Sequence, residues 1–356
     1  MRDADGRVAA TAARDGRTDV VEPDRAFELS GYIQPELRVA AAGDGQVWFQ
    51  VRRARLKVSA RLALADVVVQ LDAPEAGVTV RDAYAVLRPP LEGFHLAVFA
   101  GLFKVPFGYE VLQSTGDRWF PERSVLGATL FPGERDVGVR VDLGLLERRL
   151  RLQLAAHNGF TLDDAARPAR RPFELDTSKD VTARLTVTAG PLTAGASGTW
   201  GRSTRPAFDH DADPMTPDVS FDYGRFAIGG ELRLRHAVPS LGELDAYGEL
   251  AYARNLARRA LDQLPVRADE ALDVLAGYVA VTQRLGRWVG AGARLGYLSR
   301  ERPAAAGTDE RIVLCMLLAA FPAEAVRLVA AFDWHLEDAD DVAERHEGWL
   351  RLQVSY

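Results

Sequence analysis

Cations recur at every second position along one stretch of the sequence: Arg53, Arg55 and Lys57, then Arg61 beyond Ser59. In an extended chain alternate side chains share a face and stand about 6.6 Å apart, so these groups would form a basic ladder that attracts anions. Other residue sets point less clearly to chemistry. Gly195–Thr199 reads GASGT and lacks the closing glycine of a nucleophile elbow. His157–Asn158 fits a strand end and the start of a loop better than a catalytic pair. Asp209, Asp211 and Asp213 open with calcium-loop spacing, but Pro214 and Ser220 stand where Gly and Glu are needed. The single Cys315 excludes an internal disulfide and a thiolate metal site. With no GxxxxGK and no HExxH either, neither an enzyme nor a metal or other cofactor is implied.

Composition narrows the class. At 47% hydrophobic residues, with six Trp, nine Tyr and fifteen Phe, the chain can bury a core. Its longest run free of Asp, Glu, Lys and Arg, Leu185–Gly201, carries Gly190, Pro191 and several Thr. A spanning helix wants about 20 apolar residues. A formal charge of −6 speaks against a nucleic-acid-coating protein. Residues 1–26 are charged and Ala-rich, contain no secretory-type apolar stretch, and read as a flexible leader outside the fold.

From Phe27 onward the pattern has period two. Leu350, Leu352, Val354 and Tyr356 alternate with Arg351, Gln353 and Ser355; Val181, Ala183, Leu185 and Val187 alternate with Thr182, Arg184, Thr186 and Thr188. Each such segment is a strand with one apolar and one polar side. Sixteen are counted, beginning near residues 27, 46, 64, 78, 94, 136, 149, 179, 191, 223, 243, 270, 288, 310, 326 and 347. Three of them, Phe94–Lys104, Leu272–Val281 and Ile312–Phe321, are apolar on both faces. The connections alternate between a short set averaging about 4 residues and a long set averaging about 15, as turns at one rim and loops at the other require. An even number of roughly ten-residue strands with rim asymmetry predicts an all-β transmembrane antiparallel barrel over residues 27–356, placed in a bacterial outer membrane.

The polar faces then line the interior. Ala54, Leu56, Val58, Ala60 and Leu62 face lipid, which turns Arg53, Arg55, Lys57 and Arg61 inward. Val47, Phe49 and Val51 have the opposite phase, so a bulge is predicted near Arg52–Arg53. Further inward cations include Arg140 and Arg151, and inward acids include Asp66, Asp72, Asp142 and Glu249. Two readings follow: a basic lumen that concentrates anions, or cations and acids that cancel across the wall. The longest connection, 105–135, departs at Lys104 and carries Phe107, Tyr109, Trp119 and Phe120. Such an aromatic loop either packs inward as a constriction or covers the outer rim or a neighbouring subunit.

Specific motifs accompany this pattern. Phe103–Glu110 reads FKVPFGYE and Pro121–Ser124 reads PERS; RRARL (52–56) and RDAY (81–84) precede them, and RDVGV (135–139) and Asn158–Gly159 follow. Their order and spacing resemble the phosphate-selective porin O/P family of Gram-negative outer membranes, most strongly over 49–160 and at the closing LRLQVSY. The resemblance implies a sixteen-stranded, usually trimeric porin with an inward third loop bearing Phe107, Gly108, Tyr109, Trp119 and Phe120. It also implies basic residues at the constriction. Lys104 matches the Lys of FKxPFG, Arg123 the Arg of ERS, and Arg53, Arg55 and Lys57 the basic stripe. Well-known members carry several lysines near the binding site, whereas the first half of this chain has Lys57 and Lys104 alone; arginine can substitute, since it binds phosphate bidentately. The terminal Tyr356 resembles the aromatic signal read by the barrel-insertion machinery. The implied partners are outer-membrane lipids, small anions such as phosphate, and two further copies of the chain. The competing reading is a non-conducting scaffold or envelope-complex component whose lumen is plugged.

Overall fold

The structure, a computed structural model, describes residues 27–40, 45–62, 64–75, 77–159, 178–207, 219–256, 272–301, 308–337 and 346–356. The expected leader and the loop acids Asp209, Asp211 and Asp213 lie outside the described residues.

Sixteen strands follow one another along the chain: β1 (Phe27–Ala40), β2 (Gln46–Leu62), β3 (Ala65–Asp72), β4 (Thr79–Leu87), β5 (His95–Lys104), β6 (Arg135–Leu145), β7 (Leu150–His157), β8 (Asp180–Ala189), β9 (Leu192–Ala207), β10 (Val219–Val238), β11 (Gly242–Arg254), β12 (Asp273–Leu285), β13 (Val289–Glu301), β14 (Thr308–Ala323), β15 (Val326–Glu337) and β16 (Glu347–Ser355). One short helix, α1 (Val125–Leu130), lies between β5 and β6. Each strand pairs antiparallel with its sequence neighbours, and β1 also pairs with β16, which closes the barrel. Period-two reading finds every strand, but it places the ninth connection at 201–222. Here β9 instead continues to Ala207 and β10 begins at Val219, with Ala207 opposite Val219 in unbroken register. Strand backbone projecting past the lipid meets water on both faces, so nothing selects apolar alternation there.

The exposure pattern is that of a membrane barrel. Leu29, Phe49, Leu250, Val279 and Leu318 are exposed, whereas Arg53, Arg55, Arg140, Arg294 and Arg351 are buried. The predicted bulge lies where β1 meets β2: Gln34 opposes Arg53 and Pro35 opposes Val51, leaving Arg52 without a partner. Pro35 offers no N–H to the ladder, so little pairing is lost at this point. The extra residue reverses the phase of β2, putting Val47 and Phe49 on the lipid face along with Leu56 and Val58.

The segments apolar on both faces acquire an explanation. Inward-facing Ala276, Tyr278 and Ala280 of β12, Cys315, Leu317 and Ala319 of β14, and Val329 and Ala331 of β15 belong to one buried cluster with residues from 105–134. Phe99 and Phe103 of β5 form a smaller inner cluster with Val86 and Ala155.

The seam between first and last strands is tight. Gly31 N donates to Tyr356 O (3.2 Å), and Tyr356 N donates to Gly31 O (3.1 Å). A Cβ at Gly31 would sit 2.2 Å from the Arg55 carbonyl oxygen and 2.4 Å from the Tyr356 hydroxyl. Gly31→Val is therefore expected to destabilise closure by about 1–3 kcal/mol or more and to reduce the heat-modifiable, folded band on SDS gels. Ile33→Val, on the same face of β1, should leave that band unchanged.

Candidate functional site

Between Lys104 and Arg135 the chain leaves the wall and crosses the lumen; Val105 N donates to Glu134 O (2.9 Å) where the two ends meet. The apolar side of this segment docks on the inner wall of β10–β16. Phe107 stacks on Phe131 with ring centroids 4.5 Å apart, Tyr109 meets Tyr247 at 5.2 Å, and Trp119 meets Phe321 at 5.3 Å. Phe120 lies beneath the guanidinium of Arg294, 4.7 Å from its ring centroid. Phe107, Phe120, Leu126, Leu130 and Phe131 are all buried. Burial of such side chains is worth about 1.5–3 kcal/mol each, which offsets part of the segment's loss of freedom.

Polar contacts set its exact course. Glu249 of β11 accepts from Tyr109 N (3.0 Å), from Glu110 N (2.7 Å) and from the Tyr278 hydroxyl (2.5 Å). Gly108 N donates to Ser197 Oγ at 3.0 Å. Gly108 has φ +61, and a Cβ there would fall 1.9 Å from Glu249 Oε2, so a side chain at this position would push the segment off the wall. Glu110 in turn accepts from Ser124 N (2.9 Å) and Ser124 Oγ (2.5 Å), while Ser124 Oγ caps α1 by accepting from Gly127 N (3.2 Å). At the tip, Gly116 O accepts from Arg327 Nη2 (2.7 Å) and Gln353 Nε2 (3.0 Å).

Two carboxylates act as hubs. Glu122 receives Arg52 bidentately (2.9 and 3.0 Å), Arg351 at 2.9 Å and Arg53 at 3.4 Å. Arg52 reaches it because the bulge turns consecutive arginines to the same side. Glu134 is shared by Arg135 (2.9 Å), Arg118 (3.2 Å), Lys104 (3.8 Å) and Arg123 (3.8 Å). Burial alone would raise the Glu122 carboxyl, yet Arg53, Arg52 and Arg351 hold it well below the ordinary carboxylate range. Glu134 is likewise held down, against its burial, by Lys104, Arg123, Arg118 and Arg135.

The residues singled out in the sequence divide between these tasks. Lys104 Nζ donates to Val111 O (2.8 Å) and Gln113 O (2.6 Å), and Arg123 donates to Gly127 O (3.1 Å), Phe131 O (2.5 Å) and Pro132 O (2.7 Å); both brace the crossing segment. Arg55 pairs with Asp72 (3.0 Å) and reaches Thr115 Oγ1 (3.2 Å). Arg140 and Arg151 share Asp142 at 2.9 and 2.6 Å, with Arg140 also lying over the Phe99 ring. Arg61 pairs with Asp66 at 3.7 Å, which also holds Arg88. Lys57 has no ion-pair or hydrogen-bond partner among the described residues. Glu122 and Glu134 escape the sequence reading; Glu249 is read there as an inward acid and Arg52 as part of the bulge, but neither as an anchor of the segment. The inner apolar faces of β12 and β14 signal a docked segment but do not say which acids anchor it. His157, by contrast, is structural as its strand-end place suggests: its ring lies 2.8 Å from Asp136 Oδ2 and 2.9 Å from Thr182 Oγ1.

A closed sixteen-strand barrel crossed by one internal segment meets an independent match in sequence. The profile of the phosphate-selective porin O and P family matches residues 41–224, more than half of the chain. The chain belongs to this family. No curated protein sequence matches it. Among solved structures, this porin is similar to OmpT, an outer membrane protein of Vibrio cholerae in its trimer form, at 13% identity and a TM-score of 0.62, over 93% of this chain and 99% of that one. It is similar also to the outer membrane channel DcaP of Acinetobacter baumannii (13% identity, TM-score 0.63, 93% and 97% covered). A third likeness is to Salmonella typhi OmpF in complex with daunomycin (12%, 0.65, 93% and 97%). The porin is an outer-membrane protein.

Glu122→Gln should loosen the crossing segment by less than the ~3–5 kcal/mol of a fully buried pair, because the Glu122 side chain keeps 25% of its surface. The expected signs are noisier single-channel current and faster proteolysis within 105–134. Since Glu122 and Glu134 are depressed, their contribution is complete above the ordinary carboxylate value of 4.5 and is lost as pH falls through the lower folded values. The difference in current noise between the parent and Glu122→Gln should therefore stay constant from about pH 8 to about pH 5 and shrink only in stronger acid.

Proposed function

We propose that this porin is a passive diffusion channel with an anion preference, phosphate included, whose size limit is set by segment 105–134. The observation that carries this reading is that cations outnumber the carboxylates they share. Asp66 serves Arg61 and Arg88, Asp72 serves Arg55 and Arg81, and Asp142 serves Arg140 and Arg151. Glu122 serves three arginines, one of which also holds Glu36. Pairing thus fixes the side chains without cancelling their charge, and Lys57 adds a cation beside them. Residual positive charge in a confined aqueous path raises the local anion concentration.

The path we favour runs along β2–β7, opposite the wall on which the segment docks. Arg61, Arg81 and Arg151 keep 28–30% of their side-chain surface, against 7% for Arg53 and 3% for Arg55. Arg53 and Arg55 then act as fixed background charge and brace, while Lys57, Arg61, Arg81 and Arg151 meet the solute. No catalysis or energy source is involved; flow follows the gradient. Residues 27–356 act as one barrel domain. A homotrimer is proposed by likeness to OmpT in its trimer form. The final strand with Tyr356 is proposed as the part read by the insertion machinery.

In a planar bilayer under a KCl gradient, the refolded protein should give discrete steps and an anion-side reversal potential, with inorganic phosphate reducing the chloride current. A unit charge ~7 Å from a passing ion is worth about 0.6 kcal/mol in a water-like dielectric, favourable for an anion and unfavourable for a cation, so Lys57→Gln should lower the anion-to-cation permeability ratio about sevenfold. A cation-side reversal potential in the parent would overturn the anion reading. Inserted protein without steps would favour a plugged scaffold.

A further inference from the structure

The lipid-facing side of β8–β10 is indented. A concavity of about 600 Å³ opens there, lined by Val181, Ala183, Gly198, Trp200, Phe226 and Ile228. It exists because Gly198 presents no side chain between larger neighbours: a Cβ at Gly198 would approach nothing closer than the Ala227 carbonyl oxygen at 3.8 Å. Trp200 opposes Val181 on one side and Phe226 on the other, so an aromatic band caps the indentation toward the long-loop rim. One step further toward that rim, on the same outward face, stands Arg202, exposed, with its guanidinium carbon 5.9 Å from the Trp200 ring centroid. No carboxylate among the described residues pairs with it. Gly224 opposes Arg202, and a Cβ there would meet nothing within 4 Å among the described residues. Lys179, also exposed, precedes β8 at the same rim.

We infer that this face is a binding site for one phosphate-bearing lipid of the outer leaflet. Long loops mark the extracellular side of such barrels, which puts Arg202 at the level of outer-leaflet headgroups and the indentation at the level of their acyl chains. Inside hydrocarbon an apolar groove is filled by hydrocarbon, since water finds no polar partner there. A guanidinium with no carboxylate partner among the described residues, directly above it, selects a headgroup carrying phosphate, which it can bind through two parallel N–H groups. Trp200 provides an amphipathic ring at the boundary between the two. The site lies on the outside of the wall and is independent of what passes through the lumen.

The test uses folded protein in detergent, with native mass spectrometry reading retention of diphosphoryl lipid A, its dephosphorylated form, and inorganic phosphate. The parent should hold the diphosphoryl lipid about tenfold more tightly than the dephosphorylated one, and free phosphate should not displace it. Arg202→Gln should remove that preference, whereas Gly198→Leu, which fills the indentation from its floor, should weaken both lipids. Each variant is checked for the heat-modifiable band, and the comparison of the two lipids on the parent stands whether or not a variant folds. Equal retention of both lipids by the parent, or parent-like binding by a folded Arg202→Gln, would overturn the inference. So would a Gly198→Leu variant that changes the oligomer size while leaving lipid binding intact, since the groove would then hold a second copy of the chain.

Discussion

A peptide group in hydrocarbon has no water to bond, and this chain meets that constraint by pairing β1 with β16 as well as with β2. Once the sheet is closed, the pleat decides everything else about the side chains. Alternate residues meet lipid and must be apolar; the others meet one another and can be charged. The basic ladder of β2 owes its existence to this division, and so does the inversion in which leucines are exposed and arginines buried.

Closure also creates an interior with two chemistries. Along β10–β16 the inner face carries a patch of small and apolar residues, interrupted by Glu249, Arg294, Arg327 and Arg351, and it receives the crossing segment. Along β2–β7 the inner face is charged, with carboxylates outnumbered by the cations that share them. One wall therefore anchors the segment, and the other carries the charges on which the proposed conduction path rests. The hubs at Glu122 and Glu134 join the two functions, because the same guanidiniums that contribute positive potential also pin the segment that narrows the lumen.

Strand number and phase were legible because lipid imposes a strict selection on every second residue. Even the bulge could be read, since Val47 and Phe49 contradict the phase of Leu56 and Val58 unless one residue is left unpaired at Arg52. The alternation fades at 201–222, where backbone ladder alone extends β9 and β10 into water. The anchoring acids were less legible. Glu122 and Glu249 act through partners far away in sequence, and neither spacing nor composition reveals that Glu122 meets Arg351 or that Glu249 receives the backbone of Tyr109 and Glu110. Lys104 and Arg123 were visible as cations at the crossing, but their donors are committed to its carbonyls, a distinction that only geometry makes.

The crossing segment joins β5 to β6, yet beside Arg52, Arg53 and Arg55 of β2 its contacts are with Ser197, Glu249, Arg294, Arg327 and Arg351, from β9 through β16. Chain order and assembly order are thereby separated. Without the last strands the segment would have the arginines of β2 to hold it but not the apolar wall on which it docks. Contacts this distant in sequence form late and slowly. The narrow passage thus depends on the same final strands that close the seam, so that a barrel able to hold its own edge is also one that can hold its restriction.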